Sequence, residues 1–131
     1  MDKWFGKIAV VTGASVGIGK DISLRLVEHG LKVVGCGRDL NKLTLVKYDI
    51  SNNAKGEFFP FKCDVSKEED VLNLFNYIKT TFKELSILIN NAGVAFDVRH
   101  FLQLIIFHKN IRVQFFKARQ KTGKLCLIQM F

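Results

Sequence analysis

The stretch that decides the fold of this chain is Lys7-Ile8-Ala9-Val10-Val11-Thr12-Gly13-Ala14-Ser15-Val16-Gly17-Ile18-Gly19. Its first five residues are an apolar run that predicts a strand, and residues 20–29 follow a helical pattern. Glycines between a strand and a helix let the backbone approach a pyrophosphate, which the free N–H groups and positive end of the helix attract. The stretch therefore predicts a phosphate-binding turn, against the plainer alternative of a tight turn without a ligand.

Predicted strands and helices alternate along the first 95 residues. Further strands are expected at 31–35, 57–63 and 85–89, and Pro60 places the third strand at an edge of the sheet. Apolar residues at helical spacing mark the intervening helices: Ile18, Ile22 and Leu26; Leu40, Leu43 and Val46; Val71, Phe75, Ile78 and Phe82. Ser66 and Glu69 match the S-x-x-E capping box, which predicts the start of the third helix. The alternation predicts an α/β fold, a Rossmann-like doubly wound parallel sheet with strand order 3-2-1-4.

Three motifs resemble those of the short-chain dehydrogenase/reductase family, in its order and near its spacing. They are Thr12 to Gly19, Cys63-Asp64-Val65 and Asn90-Asn91-Ala92-Gly93. Residues 4–11 and 30–35 are similar to one branch of the family, which contains the insect farnesol dehydrogenases and the dehydrogenase/reductase member 11 proteins. The resemblance covers residues 1 to about 95, which we assign as an NADP-binding Rossmann half-domain. It implies an NADP-dependent oxidoreductase that acts on a small alcohol or carbonyl substrate.

The end of the second strand bears on the choice of cofactor. NAD enzymes of this architecture place an acidic side chain there, which bonds the ribose 2′-OH. Position 37 is glycine, and Arg38 offers a charged planar fork that matches a phosphate. The family interpretation of Arg38 is selection of NADP, and the alternative is a solvated arginine near a helix start. Asp39 is among the cofactor-binding candidates, although we interpret it as the N-cap of the second helix.

The resemblance implies roles for further positions of the cofactor site. Asp64 would bond the adenine amino group, although a carboxylate there is also a plausible turn residue. Val65 would line the adenine pocket, Asn91 would lie against the ribose, and Gly93 would keep the wall beside the nicotinamide low. Asn90 would tie neighbouring strands together. The cradle itself would comprise Gly13, Ala14, Ser15, Val16, Gly17, Ile18 and Gly19.

Hydride transfer in this family uses a serine, a tyrosine and a lysine four residues after the tyrosine. A phenol with a pKa near ~10 needs a cationic neighbour to act as a base near neutrality. The tyrosines of this chain are Tyr48 and Tyr77, and Asn52 and Thr81 stand four residues after them. We therefore predict no catalytic residues, and expect a truncated family member that keeps the NADP-binding half without turning over. The alternative is a non-catalytic nucleotide-binding or interaction module that pairs with a full-length relative.

Composition changes near residue 96. The 36 residues from 96 to 131 hold seven Lys and Arg residues against one Asp, and half of the 12 phenylalanines of the chain. We assign 96–131 as a divergent basic, aromatic-rich tail, such as alternative splicing or a misread exon would give. We expect it to be irregular or helical, with a helix over 101–121, although alternation at Ile111, Val113 and Phe115 is strand-like. Basic residues among aromatics also suit nucleic acid, but without a recognised module we expect no such partner.

The rest of the composition is that of a globular protein. The chain has 131 residues, of which 48% are hydrophobic and 24% charged. Residues 101–107, its longest apolar-rich run, fall short of the ~20 residues that span a membrane, and we expect a cytoplasmic protein. Neither the three histidines nor the cysteines have metal-ligand spacing, and Cys36 and Cys63 are expected as small buried thiols. If the tail leaves the fourth strand uncovered, the apolar edge at 85–91 is expected to self-associate.

Overall fold

The computed structural model describes residues 2–91, 114–119 and 125–130, and the side chains of residues 3–91. A short 3-10 helix, Asp2–Trp4, precedes four strands that alternate with three helices. The elements are β1 (Ile8–Thr12), α1 (Gly17–Glu28), β2 (Lys32–Gly37), α2 (Leu40–Tyr48), β3 (Glu57–Lys62), α3 (Glu68–Thr81), β4 (Ile87–Asn90), β5 (Gln114–Arg119) and β6 (Leu125–Met130). The strands form one sheet in the order β3-β2-β1-β4-β6-β5.

The four N-terminal strands are parallel and confirm the predicted order 3-2-1-4. β1 pairs with β2 on one side and with β4 on the other, and β3 pairs with β2. All five residues of β1 are buried, as expected for a strand covered on both faces. Pro60 lies in β3 at the edge of the sheet, where its missing N–H breaks no ladder.

Successive residues of each strand point to opposite faces, so the sheet separates two apolar cores. Ala9, Val11, Val33 and Phe58 lie in a cluster with α1 and α2, which contribute buried residues such as Val27. A second cluster lies against α3 on the other face: Val10, Val34, Cys36, Cys63, Val71, Leu74, Ile78 and Leu88. Helices on both faces make this a doubly wound, Rossmann-like sheet.

Cys36 and Cys63 are buried free thiols, as predicted. They share the second cluster, and the hydrogen bond that the Cys36 thiol makes to Cys63, together with burial, raises the pKa of Cys36 well above its usual range. A thiol with a raised pKa is less available as a thiolate nucleophile. Both cysteines therefore act as small apolar residues of the core.

The prediction of which α1 residues pack against the sheet is partly wrong. Gly19, Ser23 and Val27 are its buried residues, whereas Ile18 is 42% exposed. The small residues let the first turns of the helix lie close to the sheet, and the Ser23 hydroxyl is satisfied by the Gly19 carbonyl at 2.7 Å. Ile22 and Leu26 do pack against the core. In α2, Leu43 and Val46 are buried as predicted, but Leu40 is 44% exposed.

The tail also differs from the expectation. Gln114–Arg119 and Leu125–Met130 are strands, so the irregular or helical form is wrong for these residues, and the rest of 101–121 lies outside the described residues. β6 pairs antiparallel with β4, from Ile87 opposite Met130 to Asn90 opposite Leu127, and β5 pairs antiparallel with β6. The edge of β4 is therefore covered by β6. The predicted self-association required an uncovered β4 edge, and that condition is not met. Over the described parts of the chain, no helix has the length and apolar character to cross a membrane.

Candidate cofactor site

The candidate site lies at the carboxyl edge of the parallel strands. β1, β2 and β4 end at Thr12, Gly37 and Asn90, and the loops that follow meet at this edge. Clefts outside the carboxyl ends of the strands are where open α/β sheets bind ligands. The structure brings together here the predicted positions of residues 13–19, 37–39, 64–65 and 91. Gly93 lies outside the described residues.

Three glycines shape the loop between β1 and α1. Gly13 and Gly17 have φ values of +66° and +59°, in the left-handed region that disfavours side chains. Gly19 lies so close to its neighbours that a Cβ there would overlap the Gly13 carbonyl oxygen and lie 2.5 Å from Nδ2 of Asn91. Each glycine of the T-G-x-x-x-G-x-G motif thus has a backbone or packing reason.

The loop is tied to the strands on both sides. Asn91 donates its backbone N–H to Oγ1 of Thr12 at 3.0 Å and its side-chain amide to the Gly13 carbonyl at 3.4 Å. The N–H of Ala14 bonds the carbonyl of Cys36 at 3.2 Å, which links the loop to β2. These bonds hold the loop before any ligand arrives. Asn91 thus ties the end of β4 to the glycine loop, and its contact with a ribose stays a prediction.

The start of α1 offers uncapped backbone N–H groups. Its N-cap residue is Val16, whose backbone is extended and whose side chain makes no capping hydrogen bond. No acidic residue lies in the first turn. Val16 is 60% exposed, Ser15 is half-buried and Ala14 is buried, so the loop presents its backbone at the surface. Free N–H groups and an uncompensated helix dipole favour an anion at this position.

The end of β2 leads into a different kind of surface. The side chain of Asp39 accepts hydrogen bonds from the N–H groups of Asn41 at 3.0 Å and Lys42 at 3.2 Å, which confirms it as the N-cap of α2. Such a cap stabilises a helix by about 1 kcal/mol. Arg38 is exposed, and beside it lies an open depression lined by Arg38, Asp39, Leu40, Asn41 and Lys62. The sequence analysis did not single out Lys62, because only strand pairing places it near Arg38.

Gly37 has room for a side chain. A Cβ there would have Leu43 and Oγ of Ser15 as its nearest neighbours, at 3.7 Å, which is ordinary van der Waals contact. Packing therefore does not explain this glycine. Its consequence is that no carboxylate stands at the end of β2.

Asp64 follows β3 and stays ionised. Its Oδ1 accepts from the Ser66 hydroxyl at 2.5 Å and from the Ser66 N–H at 2.9 Å. The hydrogen bond from the Ser66 hydroxyl, and then the one from its N–H, are the main causes that lower the pKa of this carboxyl. Burial opposes them, and the charges of Lys67 and Arg38 make smaller contributions that also lower it. Val65 is half-buried and packs against the second core cluster. Their proposed contacts with adenine stay predictions.

The predicted capping box of the third helix is wrong. α3 begins at Glu68 with Lys67 as its N-cap, and no side-chain capping hydrogen bond is formed. The Ser66 hydroxyl bonds Asp64 instead, and the carboxylate of Asp70 accepts the Asp64 N–H at 2.9 Å. The first turn of α3 nevertheless has three acidic residues, whose negative charges interact favourably with the positive end of the helix dipole: Glu68, Glu69 and Asp70.

Comparison with known proteins decides the family. The profile of the short-chain dehydrogenases matches residues 7–122. This chain belongs to the short-chain dehydrogenase family. It is 46% identical over 96 residues to dehydrogenase/reductase SDR family member 11 of Gallus gallus, and 44% identical over 94 residues to farnesol dehydrogenase of Aedes aegypti. These matches cover 72% of this chain and 38% of each relative, so the chain spans well under half of their length.

Solved structures of the family share the fold. A metagenomic short-chain oxidoreductase in complex with NADP is 37% identical, with a TM-score of 0.65 over 70% of this chain and 41% of its own. L-sorbose reductase from Gluconobacter frateurii, complexed with NADPH and L-sorbose, is 27% identical, with a TM-score of 0.65 over 73% of this chain and 40% of its own. The likeness to these two structures lies in the fold, which this chain shares over about seven tenths of its length. Among the described residues, no group of three His, Cys, Asp or Glu side chains is placed to hold a metal ion.

Proposed function

We propose that this chain binds NADP(H) at the carboxyl edge of its parallel sheet. The proposal rests on two neighbouring features. The start of α1 has no side-chain cap and follows a glycine loop, and Arg38 lies just after β2, which ends in Gly37 rather than in a carboxylate. The residues fit the group: the loop at 13–19 would hold the pyrophosphate, and Arg38 the 2′-phosphate. Asp64 and Asn91 would contact adenine and ribose. The NADP and NADPH complexes of two similar structures support this choice of cofactor.

Calorimetry with NADPH and NADH tests the cofactor. The parent should prefer NADPH, and Arg38→Ala should lose roughly 1.5–3 kcal/mol of NADPH affinity, the range of a charge-assisted hydrogen bond, while NADH binding changes little. Arg25→Ala is the matched control, because Arg25 is an exposed arginine of α1 whose partner is Glu28 at 3.5 Å. Equal affinity of the parent for both dinucleotides would overturn the proposal.

We propose further that the reaction class is the interconversion of an alcohol and a carbonyl compound, and that these 131 residues alone do not turn over. No tyrosine of the sequence has a lysine four residues after it. The ring of Tyr77 stacks on Phe61 with centroids 4.9 Å apart, and Tyr48 ends α2 away from the edge where that helix begins. Neither phenol is placed to exchange a proton with a substrate beside the nicotinamide. A bound nicotinamide would supply the hydride, and the residues of this chain would bind and orient the cofactor.

A turnover assay tests this second statement. NADPH oxidation, followed by absorbance with a panel of ketones and aldehydes, should not exceed the rate of a Gly13→Asp control, whose carboxylate blocks the cradle. The loss of an acid–base group alone costs ~10²–10⁴ in rate. Steady turnover above that control would show that the chain holds a proton donor we have not identified.

A further inference from the structure

Two cations stand side by side at the carboxyl edge of the sheet. Lys62 is the last residue of β3 and pairs in register with Gly37, the residue before Arg38. The N–H of Cys63 bonds the carbonyl of Gly37 at 2.9 Å, which holds the ends of the two strands together. The two strand ends thus place both cations on the rim of one depression.

The alternation of β3 decides which face Lys62 occupies. Phe58 lies in the core under α1 and α2, whereas Phe59 and Phe61 pack on the side of α3. Side chains two and four residues apart share a face of a strand, so Lys62 lies on the same side as Phe58. This is the side of α2, whose first residues line the depression with Lys62.

The charge at this rim depends on Lys62. Asp39 already holds the N–H groups of Asn41 and Lys42, so the start of α2 offers little to an external anion. The charge of Arg38 also acts on the carboxylate of Asp64, whose pKa it lowers. Within residues 2–91 neither Arg38 nor Lys62 takes part in an ion pair. Lys62 therefore adds a second positive charge at this rim, which offsets the carboxylates of Asp39 and Asp64.

We propose that Lys62 is a second specificity-determining residue, which binds the 2′-phosphate of NADP(H) together with Arg38. This inference rests on the proposed NADP(H) binding and adds to it a residue from the neighbouring strand. A phosphate monoester carries about −1.5 to −2 charges and three acceptor oxygens. The guanidinium takes two of these oxygens in a planar fork, and the ammonium adds a compact charge from the β3 side. Together the two cations oppose the negative charges of the Asp39 and Asp64 carboxylates.

Titration with two nucleotides tests the inference on the full chain. The probes are 2′,5′-ADP, which carries the 2′-phosphate, and 5′-AMP, which lacks it. Lys62→Ala should weaken 2′,5′-ADP binding roughly 10- to 20-fold, near the lower end of the range for a charged contact because the site is open to water. Binding of 5′-AMP should change less than about twofold on the same reasoning. Lys62→Arg keeps the charge and should retain most of the affinity.

Lys32→Ala is the matched control, since Lys32 is an exposed lysine at the opposite end of β2, paired with Glu57. It changes the net charge equally and should leave both affinities unchanged. Circular dichroism melts of each variant establish that it is folded, and Lys62→Gln provides a second neutral variant.

The outcomes separate this inference from the proposed function. If the parent binds 2′,5′-ADP no tighter than 5′-AMP, the proposed NADP preference fails. If the parent prefers 2′,5′-ADP and only Arg38→Ala removes the preference, the role of Lys62 is wrong while the proposed function stands. If Lys62→Ala lowers the affinities for 2′,5′-ADP and 5′-AMP equally, the role of Lys62 is also wrong, because Lys62 would then not recognise the 2′-phosphate.

Discussion

The helices α1 and α2 begin at the same edge of the sheet but present opposite surfaces to a ligand. The N-cap residue of α1 is Val16, whose side chain makes no capping hydrogen bond, and the first turn of α1 has no acidic residue. The N-cap residue of α2 is Asp39, whose carboxylate accepts hydrogen bonds from the N–H groups of Asn41 and Lys42. An anion can therefore be bound by backbone at α1, whereas at α2 it must be bound by side chains. The candidate cofactor site thus has a backbone half and a side-chain half.

The backbone half should tolerate substitution least. Gly19→Ala places a methyl group against the Gly13 carbonyl and the Asn91 amide. We expect a loss of about 3 kcal/mol in the free energy of unfolding, at the upper end of overpacking costs, and a loss of NADPH binding. Chemical denaturation measures the first effect and calorimetry the second.

Gly17→Ala is the control for this substitution. Nothing lies within 4 Å of a Cβ at Gly17, but its φ is +59°, so only the left-handed backbone penalises alanine, by about 1–2 kcal/mol. Equal costs at the two positions would mean that backbone conformation, rather than close packing of the loop, sets the requirement for glycine.

The side-chain half should change specificity without unfolding. A Cβ at position 37 makes only ordinary van der Waals contacts, and Gly37→Asp puts a carboxylate beside the proposed 2′-phosphate site. We expect NADPH affinity to fall roughly 10- to 100-fold, a like-charge cost reduced by exposure to water, and NADH affinity to hold or rise. Calorimetry with both dinucleotides measures this. Gly37→Asn introduces a side chain of nearly the same shape without the charge. If it lowers NADPH affinity as much as Gly37→Asp does, electrostatic repulsion is not the cause.

The smallest expected effect concerns the pH response of Asp64. Its folded-state pKa is lowered chiefly by the Ser66 hydroxyl, so it stabilises the fold above its unfolded pKa, and this stabilisation is lost as the pH falls through the folded pKa. Ser66→Ala should raise the pKa of Asp64 toward its ordinary value and flatten the acid limb of the stability curve. NMR titration of the carboxyl carbon measures the pKa, and Ser51→Ala, in an exposed turn, is the control. An unchanged pKa in Ser66→Ala would contradict the assigned cause.

Local signals in the sequence predicted the parallel sheet and the glycine loop. Residues close together in the sequence determine both features. These are the buried apolar runs of β1 and β4 and the backbone of the loop that contains Gly13, Gly17 and Gly19. The predictions that failed involve competition between contacts. Ser66 fits a capping box, but Asp64, two residues earlier, takes its hydroxyl. Ile18 has helical spacing, but the small residues Gly19 and Ser23 turn a different face of α1 toward the sheet.

Contacts between distant residues were beyond the sequence analysis. The sequence predicts a helix over 101–121, whereas residues 114–119 form a strand, in agreement with the alternation around Phe115. The partner of that strand, β6, and the pairing of β6 with β4 had no local signal. Lys62 was missed for the same reason, because its neighbour across the sheet is Gly37 rather than a residue near it in sequence.

The antiparallel pair β5–β6 has a consequence for the time course of folding. β1, β2, β3 and β4 pair in parallel. Two parallel strands are joined by a long crossover connection, so the chain must bring together residues that are far apart in sequence before the strands can pair. β5 and β6 are separated only by residues 120–124, and an antiparallel hairpin of this kind forms in about 1–10 μs. The hairpin can therefore form before the parallel sheet exists, and it must wait for β4 to be in place before it gains its third strand.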